Sequence, residues 1–185
     1  NDTFLQENGL TKETALTLFI PNTYEFYWNT SAKKIADKMA KEHKKFWTNE
    51  RLEKAKALNM TPAQVYTLAS IVHKETVKAD ERPRVAGAYL NRINQDMPLQ
   101  ADPTVIYAIK ETSGDFDQVI KRVGGSNLFV KSPYNTYINK GLPPGPIAMP
   151  DISAIDAVLN AEKHDYIYFC ADPNRPGYHA FETTY

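Results

Sequence analysis

The clearest chemical signal in the chain is one carboxylate, Glu75. The segment Thr61-Pro62-Ala63-Gln64-Val65-Tyr66 opens a helix with a capping box: Thr61 is the N-cap, Pro62 takes the first helical position, and Gln64 reaches back to the Thr61 N–H. At about 100° per residue, Val65, Leu68, Ala69, Ile71 and Val72 fall on one broad apolar arc. Glu75 projects inside that arc, whereas His73 and Lys74 point away. A carboxyl held against an apolar wall loses solvation when it ionises, so its pKa rises. It then stays protonated near neutral pH, ready to donate its proton as a general acid. The competing reading is a structural ion pair with Arg82, Arg84 or Arg92, which follow closely.

Other chemistries find less support. His43, His73, His164 and His179 do not form the two-His-plus-Glu spacing of a zinc protease, so neither a metal nor another cofactor is expected. There is no Gly-x-Ser-x-Gly elbow and no phosphate loop. The single cysteine, Cys170, excludes an internal disulfide and reads as core within the strand-like Tyr166-Ile167-Tyr168-Phe169-Cys170. That leaves acid chemistry by carboxylates, with Asp102 as a second candidate. Asp102 precedes Pro103 and reads first as a helix cap. If it reaches the same cleft, the pair resembles the two carboxylates of a glycosidase.

These residues need elements to position them. Leu16-Thr17-Leu18-Phe19-Ile20 looks like a strand, and Ser31 or Thr30 caps a helix running through Ile35 and Met39 toward Phe46 and Trp47. A short helix over 49–57 leads into the Glu75 helix. Further helices are expected over 84–94, after Asp102-Pro103, and over 153–162. Residues 111–150 are punctuated by Ser113-Gly114, Gly124-Gly125, Ser132-Pro133 and Gly141-Leu142-Pro143-Pro144-Gly145-Pro146, which predicts an ordered functional loop region. Within it, Tyr134, Asn135 and Tyr137 combine aromatics with an amide and suit a sugar ring; the alternative is a turn stapled by tyrosine. Tyr166–Cys170 and Tyr178–Phe181 form a hairpin across Asp172-Pro173-Asn174-Arg175-Pro176-Gly177.

Composition bounds the rest. With 185 residues and 42% hydrophobic content the chain can bury one sizeable core. Lys+Arg and Asp+Glu both number 22, so no charge excess argues for a nucleic-acid partner. No run of about 18 apolar residues is present. A start at Asn1 and an abrupt end at Tyr185 predict a piece of a longer chain, with any membrane anchor outside it.

Several motifs together resemble the MltG-type (YceG-like) endolytic murein transglycosylases. They are Ala69-Ser70-Ile71-Val72-x-Lys74-Glu75-Thr76, Glu81-Arg82, Asn91-Arg92, Leu99-Gln100-x-Asp102-Pro103-Thr104-Val105, Ser132-Pro133-Tyr134-Asn135-Thr136-Tyr137 and Gly141-Leu142-Pro143-Pro144-Gly145-Pro146-Ile147. Ile20-Pro21-Asn22-Thr23-Tyr24 and Tyr168-Phe169-x-Ala171-Asp172 extend the similarity over nearly the whole chain. His73 departs from the pattern, standing where many members carry an additional Glu, and Met149 and Asp151 replace the usual Asn and Gly. The resemblance implies a catalytic Glu at position 75 and cleavage inside peptidoglycan glycan strands with 1,6-anhydro ends. It also implies an N-terminal membrane helix and a LysM-like subdomain upstream, hence an extracytoplasmic enzyme of the bacterial inner membrane, with peptidoglycan synthases as candidate partners. Gln100, Asp102, Tyr134, Asn135 and Tyr137 are the candidates for lining the glycan groove. The expected fold is α+β: a helical body bearing Glu75, a small antiparallel sheet and long ordered loops, with residues 1–60 leading into a catalytic core over 61–185. Two other functions stay open at this point, a non-catalytic murein-binding module and a two-carboxylate muramidase using Glu75 and Asp102.

Overall fold

A computed structural model describes residues 2–184 and shows an α+β fold built around one buried helix. The helices are α1 (Asp2–Glu7), α2 (Ala32–Phe46), α3 (Asn49–Ala57), α4 (Pro62–Glu75), α5 (Arg82–Asn94), α6 (Asp102–Ser113) and α7 (Ile152–Leu159). Strands β1 (Tyr168–Ala171) and β2 (His179–Glu182) pair antiparallel, with Phe169 opposite Phe181 and Ala171 opposite His179.

The start of α4 follows from its capping box. The Gln64 N–H donates to the Thr61 hydroxyl at 3.3 Å, and the Thr61 N–H donates to the Gln64 side chain at 2.8 Å. The apolar arc expected on α4 is exceeded, because every residue from Val65 to Val72 is buried, Tyr66, Thr67 and Ser70 included. Helices α5, α6 and α7 pack around it and α3 covers its start, so no face of that stretch meets water. The polar residues inside are satisfied locally: Thr67 donates to the Ala63 carbonyl and Ser70 to the Thr67 carbonyl. Helix α5 approaches closely because Gly87 lacks a side chain. A Cβ there would overlap the Glu162 carbonyl and the His164 ring.

Five sequence expectations change. Leu16–Ile20 is not a strand; residues Ala15–Leu18 form a 3₁₀ turn whose Leu18 belongs to a small second cluster with Leu10 and Met39. A lone apolar run has no partner strand here, and the turn lets Leu18 bury with α2. Helix α5 starts at Arg82 rather than 84, and α7 ends at Leu159. Asp102 does not cap α6: it is the first helical residue, and Ala101 occupies the cap position without a side-chain bond. Cys170 is exposed rather than core. The pleat puts Phe169, Ala171, His179 and Phe181 on one face of the hairpin, and Phe169 and Phe181 pack on the core. Cys170 and its partner Ala180 therefore face the other way.

Candidate active site

Glu75 is the last residue of α4 and is half-buried. One carboxylate oxygen accepts a hydrogen bond at 2.9 Å from the hydroxyl of Tyr89 on α5, a side chain only 1% exposed. Burial pushes the Glu75 carboxyl above its ordinary range. The Tyr89 bond and then the charge of His179 pull it part of the way back, Asp102 pushes it up, and Arg92 draws it down.

No ion pair satisfies Glu75 among the described residues. Arg82 donates to Ser153 at 2.7 Å and meets Asp151 at 3.4 Å, while Arg84 pairs with Glu162 at 3.0 Å. Arg92 is 7% exposed and spends its guanidinium on the carbonyls of Ile167 at 2.6 Å and Leu99 at 2.5 Å. It therefore ties the segment before α6 to the segment before β1, with its charge left to act on Glu75 at a distance.

The loop after α6 forms a second wall. Thr136 stitches it to the start of that helix: its hydroxyl accepts from the Ala101 N–H at 3.1 Å and meets the Thr104 hydroxyl at 2.7 Å, and its carbonyl accepts from the Gln100 N–H at 3.0 Å. Gln100 is exposed, with a left-handed φ of 49° held by that bond. The exposed carboxylate of Asp102 accepts from the Tyr137 hydroxyl at 2.6 Å. Burial and this bond raise the Tyr137 pKa, and Glu75 adds to the rise, so the three groups share one site.

Tyr134 and Asn135, expected to contact sugar, lie inside this wall instead. Asn135 is completely buried; its amide donates to the carbonyls of Leu128 at 3.0 Å and Val130 at 2.9 Å, and its oxygen accepts from the Tyr137 N–H at 3.0 Å. Tyr134 is 7% exposed, packs on Tyr107 with ring centroids 4.6 Å apart, and has its pKa pushed up to about 12 by burial. Both shape the loop from which Tyr137 projects.

A surface groove lined by Lys74, Pro103, Ile106, Tyr107, Ile147 and Ala148 runs beside the end of α4. A wider concavity between α1 and α2, lined by Phe4, Ala32, Ala36 and Ala40, is rimmed by the charged side chains of Glu7, Lys33, Asp37, Lys41 and Lys44. No three His, Cys, Asp or Glu side chains converge on a possible metal position among the described residues.

Sequence reasoning assigned no site role to Tyr89, Glu81 or His179. Tyr89 had a readable signal, its place on the buried face of the next helix. His179 had none, because only the folded hairpin brings it near Glu75.

Similarity to known proteins covers this whole arrangement. An endolytic murein transglycosylase of Bacillus subtilis strain 168 is 36% identical over 155 residues, which is 83% of this chain and 41% of that protein. The enzyme of the same name from Streptococcus pneumoniae strain R6 is 35% identical over 154 residues, 82% of this chain and 27% of its own. This chain thus spans less than half the length of either relative. A crystal structure of a yceG-like protein from Listeria monocytogenes superposes with a TM-score of 0.78 at 34% identity, over 97% of this chain and 57% of that one. A family model described as the YceG-like family matches residues 2–185, and the chain belongs to that family.

Proposed function

We propose that the chain is the catalytic part of an endolytic peptidoglycan lytic transglycosylase, with Glu75 as its general acid and base. The observation that carries this reading is the half-buried Glu75 carboxyl, whose pKa burial raises and which the Tyr89 hydroxyl orients. The names of the related enzymes supply the substrate class.

Protonated Glu75 gives its proton to the oxygen bridging N-acetylmuramic acid and N-acetylglucosamine. The C1–O bond breaks, N-acetylglucosamine leaves with a 4-hydroxyl, and positive charge develops at C1. The Glu75 carboxylate then takes the proton of the muramoyl C6 hydroxyl while that oxygen bonds to C1. The product is a 1,6-anhydro end, Glu75 is protonated again, and no water is consumed. Proton transfer of this kind contributes about 10²–10⁴-fold, and positioning along the groove supplies more. Gln100, Asp102 and Tyr137 contact the glycan in this scheme, with Tyr134 and Asn135 holding the wall. The enzyme works on the extracytoplasmic side of the bacterial inner membrane, tethered by a segment preceding these residues, and peptidoglycan synthases are its natural partners.

One observation favours a second reading. The exposed Asp102 carboxylate, fixed by Tyr137, stands at the same site and could activate water, which makes a two-carboxylate muramidase. Mass spectrometry of digested murein separates the two: anhydro ends support the transglycosylase, and reducing ends labelled from ¹⁸O-water support the muramidase. Glu75→Gln should lower cleavage by about 10²-fold or more in a folded protein. Near-normal cleavage by that variant would end the assignment of Glu75.

A further inference from the structure

A carboxylate–imidazole pair beside Glu75 has no part in the chemistry above. Glu81, at the start of α5, and His179, the first residue of β2, have side chains only 5% and 16% exposed. One Glu81 oxygen accepts from the His179 backbone N–H at 2.7 Å, and the other meets the ring Nδ1 at 2.8 Å. This fixes His179 at two points, its backbone N–H and its ring Nδ1. The ring stands edge to face on Phe169 at 5.3 Å, and Phe169 stands edge to face on Tyr89 at 5.4 Å. Tyr89 in turn holds Glu75. Glu81, His179, Phe169, Tyr89 and Glu75 thus form one packed chain from the hairpin to the acid.

Holding the hairpin does not require this pair. Tyr178 already donates to Asp80 at 3.1 Å, with Lys78 lying over its ring. Asn91 holds the carbonyls of His164 and Tyr166, and Arg92 holds that of Ile167. A buried charge-capable pair costs desolvation that an exposed contact such as Tyr178 with Asp80 avoids.

We propose that Glu81 and His179 form a positioning pair for Glu75: Glu81 fixes the imidazole, the imidazole braces Phe169 against Tyr89, and Tyr89 holds the Glu75 carboxyl in the orientation that gives its proton to the glycan. The inference rests on Glu75 being the acid. The other groups facing Glu75 are Tyr89 and Arg92 from α5, Asp102 from the start of α6, and Tyr137 from the loop. Among the charges acting on Glu75, that of His179 has the largest effect.

The test uses uncrosslinked glycan strands, with product formation followed by chromatography across pH. His179→Asn keeps an amide donor close to the position of Nδ1 and so keeps the bond to Glu81, but it carries no charge. We expect kcat to fall about tenfold with little change in KM and in melting temperature. The basic limb of the pH–rate profile should move upward, because losing the ring that backs Phe169 loosens the Tyr89 hydrogen bond and makes Glu75 harder to ionise. Glu81→Gln keeps one acceptor, for the His179 backbone N–H, and turns its amide NH2 toward Nδ1, so the imidazole is held less firmly and rate and limb should move in the same direction. Wild-type kcat and an unmoved limb in a folded His179→Asn protein would assign the pair to structure alone and overturn the inference; should that variant fail to fold, the same result in Glu81→Gln overturns it. Glu75→Gln runs alongside: if it still cleaves, the underlying reading has failed, whereas an inactive Glu75→Gln beside an unperturbed His179→Asn removes only the positioning role.

Discussion

A half-buried carboxyl with a single hydroxyl donor is a balance that one atom can tip. Tyr89→Phe removes the donor to Glu75 without emptying the space the ring fills, so the fold should survive. The carboxylate loses its hydrogen bond, and Glu75 becomes harder to ionise. The expected result is a basic limb displaced to higher pH and kcat reduced by about tenfold, read from a pH–rate profile. Stability carries the same signature with a definite sign. The folded-state pKa of Glu75 lies above its unfolded value, so its contribution is fully present below the ordinary carboxyl range and is lost as pH rises through the folded value. Glu75→Gln should therefore melt with the wild type in acid and above it once that value is passed. Parallel melting curves across the whole range would show that Glu75 is less desolvated than the structure indicates.

At the scale of elements, the loop after α6 divides into a frame and a presented side chain. Asn135 holds two carbonyls and the Tyr137 N–H from a fully buried position, so Asn135→Ala strands buried polar groups. A loss of about 2 kcal/mol or more is expected in chemical denaturation. Tyr137 is half-exposed and its hydroxyl donates to the exposed Asp102 carboxylate, so Tyr137→Phe should leave denaturation midpoints nearly unchanged while weakening cleavage. Equal destabilisation by the two variants would contradict this division. Sequence pattern brought Tyr134, Asn135 and Tyr137 forward together because their types suit sugar. It could not separate them, since adjacent loop residues share composition while burial depends on Leu128, Val130 and Tyr107 folding over them.

Over the whole molecule, close approach between distant segments fixes where the hairpin sits relative to α4. Gly87 on α5 lies against the Glu162 carbonyl and the His164 ring, just before the strands that carry Phe169 and His179. Alanine is the better helix former by about 1 kcal/mol. Here the added methyl meets backbone that cannot yield without moving the hairpin. Gly87→Ala should therefore destabilise by about 1–3 kcal/mol and lower the melting temperature. A stabilised variant would mean that the 160–164 segment gives way freely.

Local physics reaches as far as one helical turn or one cap, and to that distance the sequence determined this protein. The Thr61 box, the Ser31 cap of α2, the 3.6-residue spacing and the period-2 hairpin are all legible in it. Glu75 itself was found from three apolar turns that precede it. The tertiary structure decided what depends on neighbours far along the chain. It left Asp102 uncapping and bonded to Tyr137, turned Cys170 outward by the register of one strand, and coiled Leu16–Leu18 into a 3₁₀ turn for want of a partner strand. It also drew Tyr89, Arg92 and His179 around Glu75. Their effect on Glu75 works through distance and desolvation, which exist only once the chain has packed.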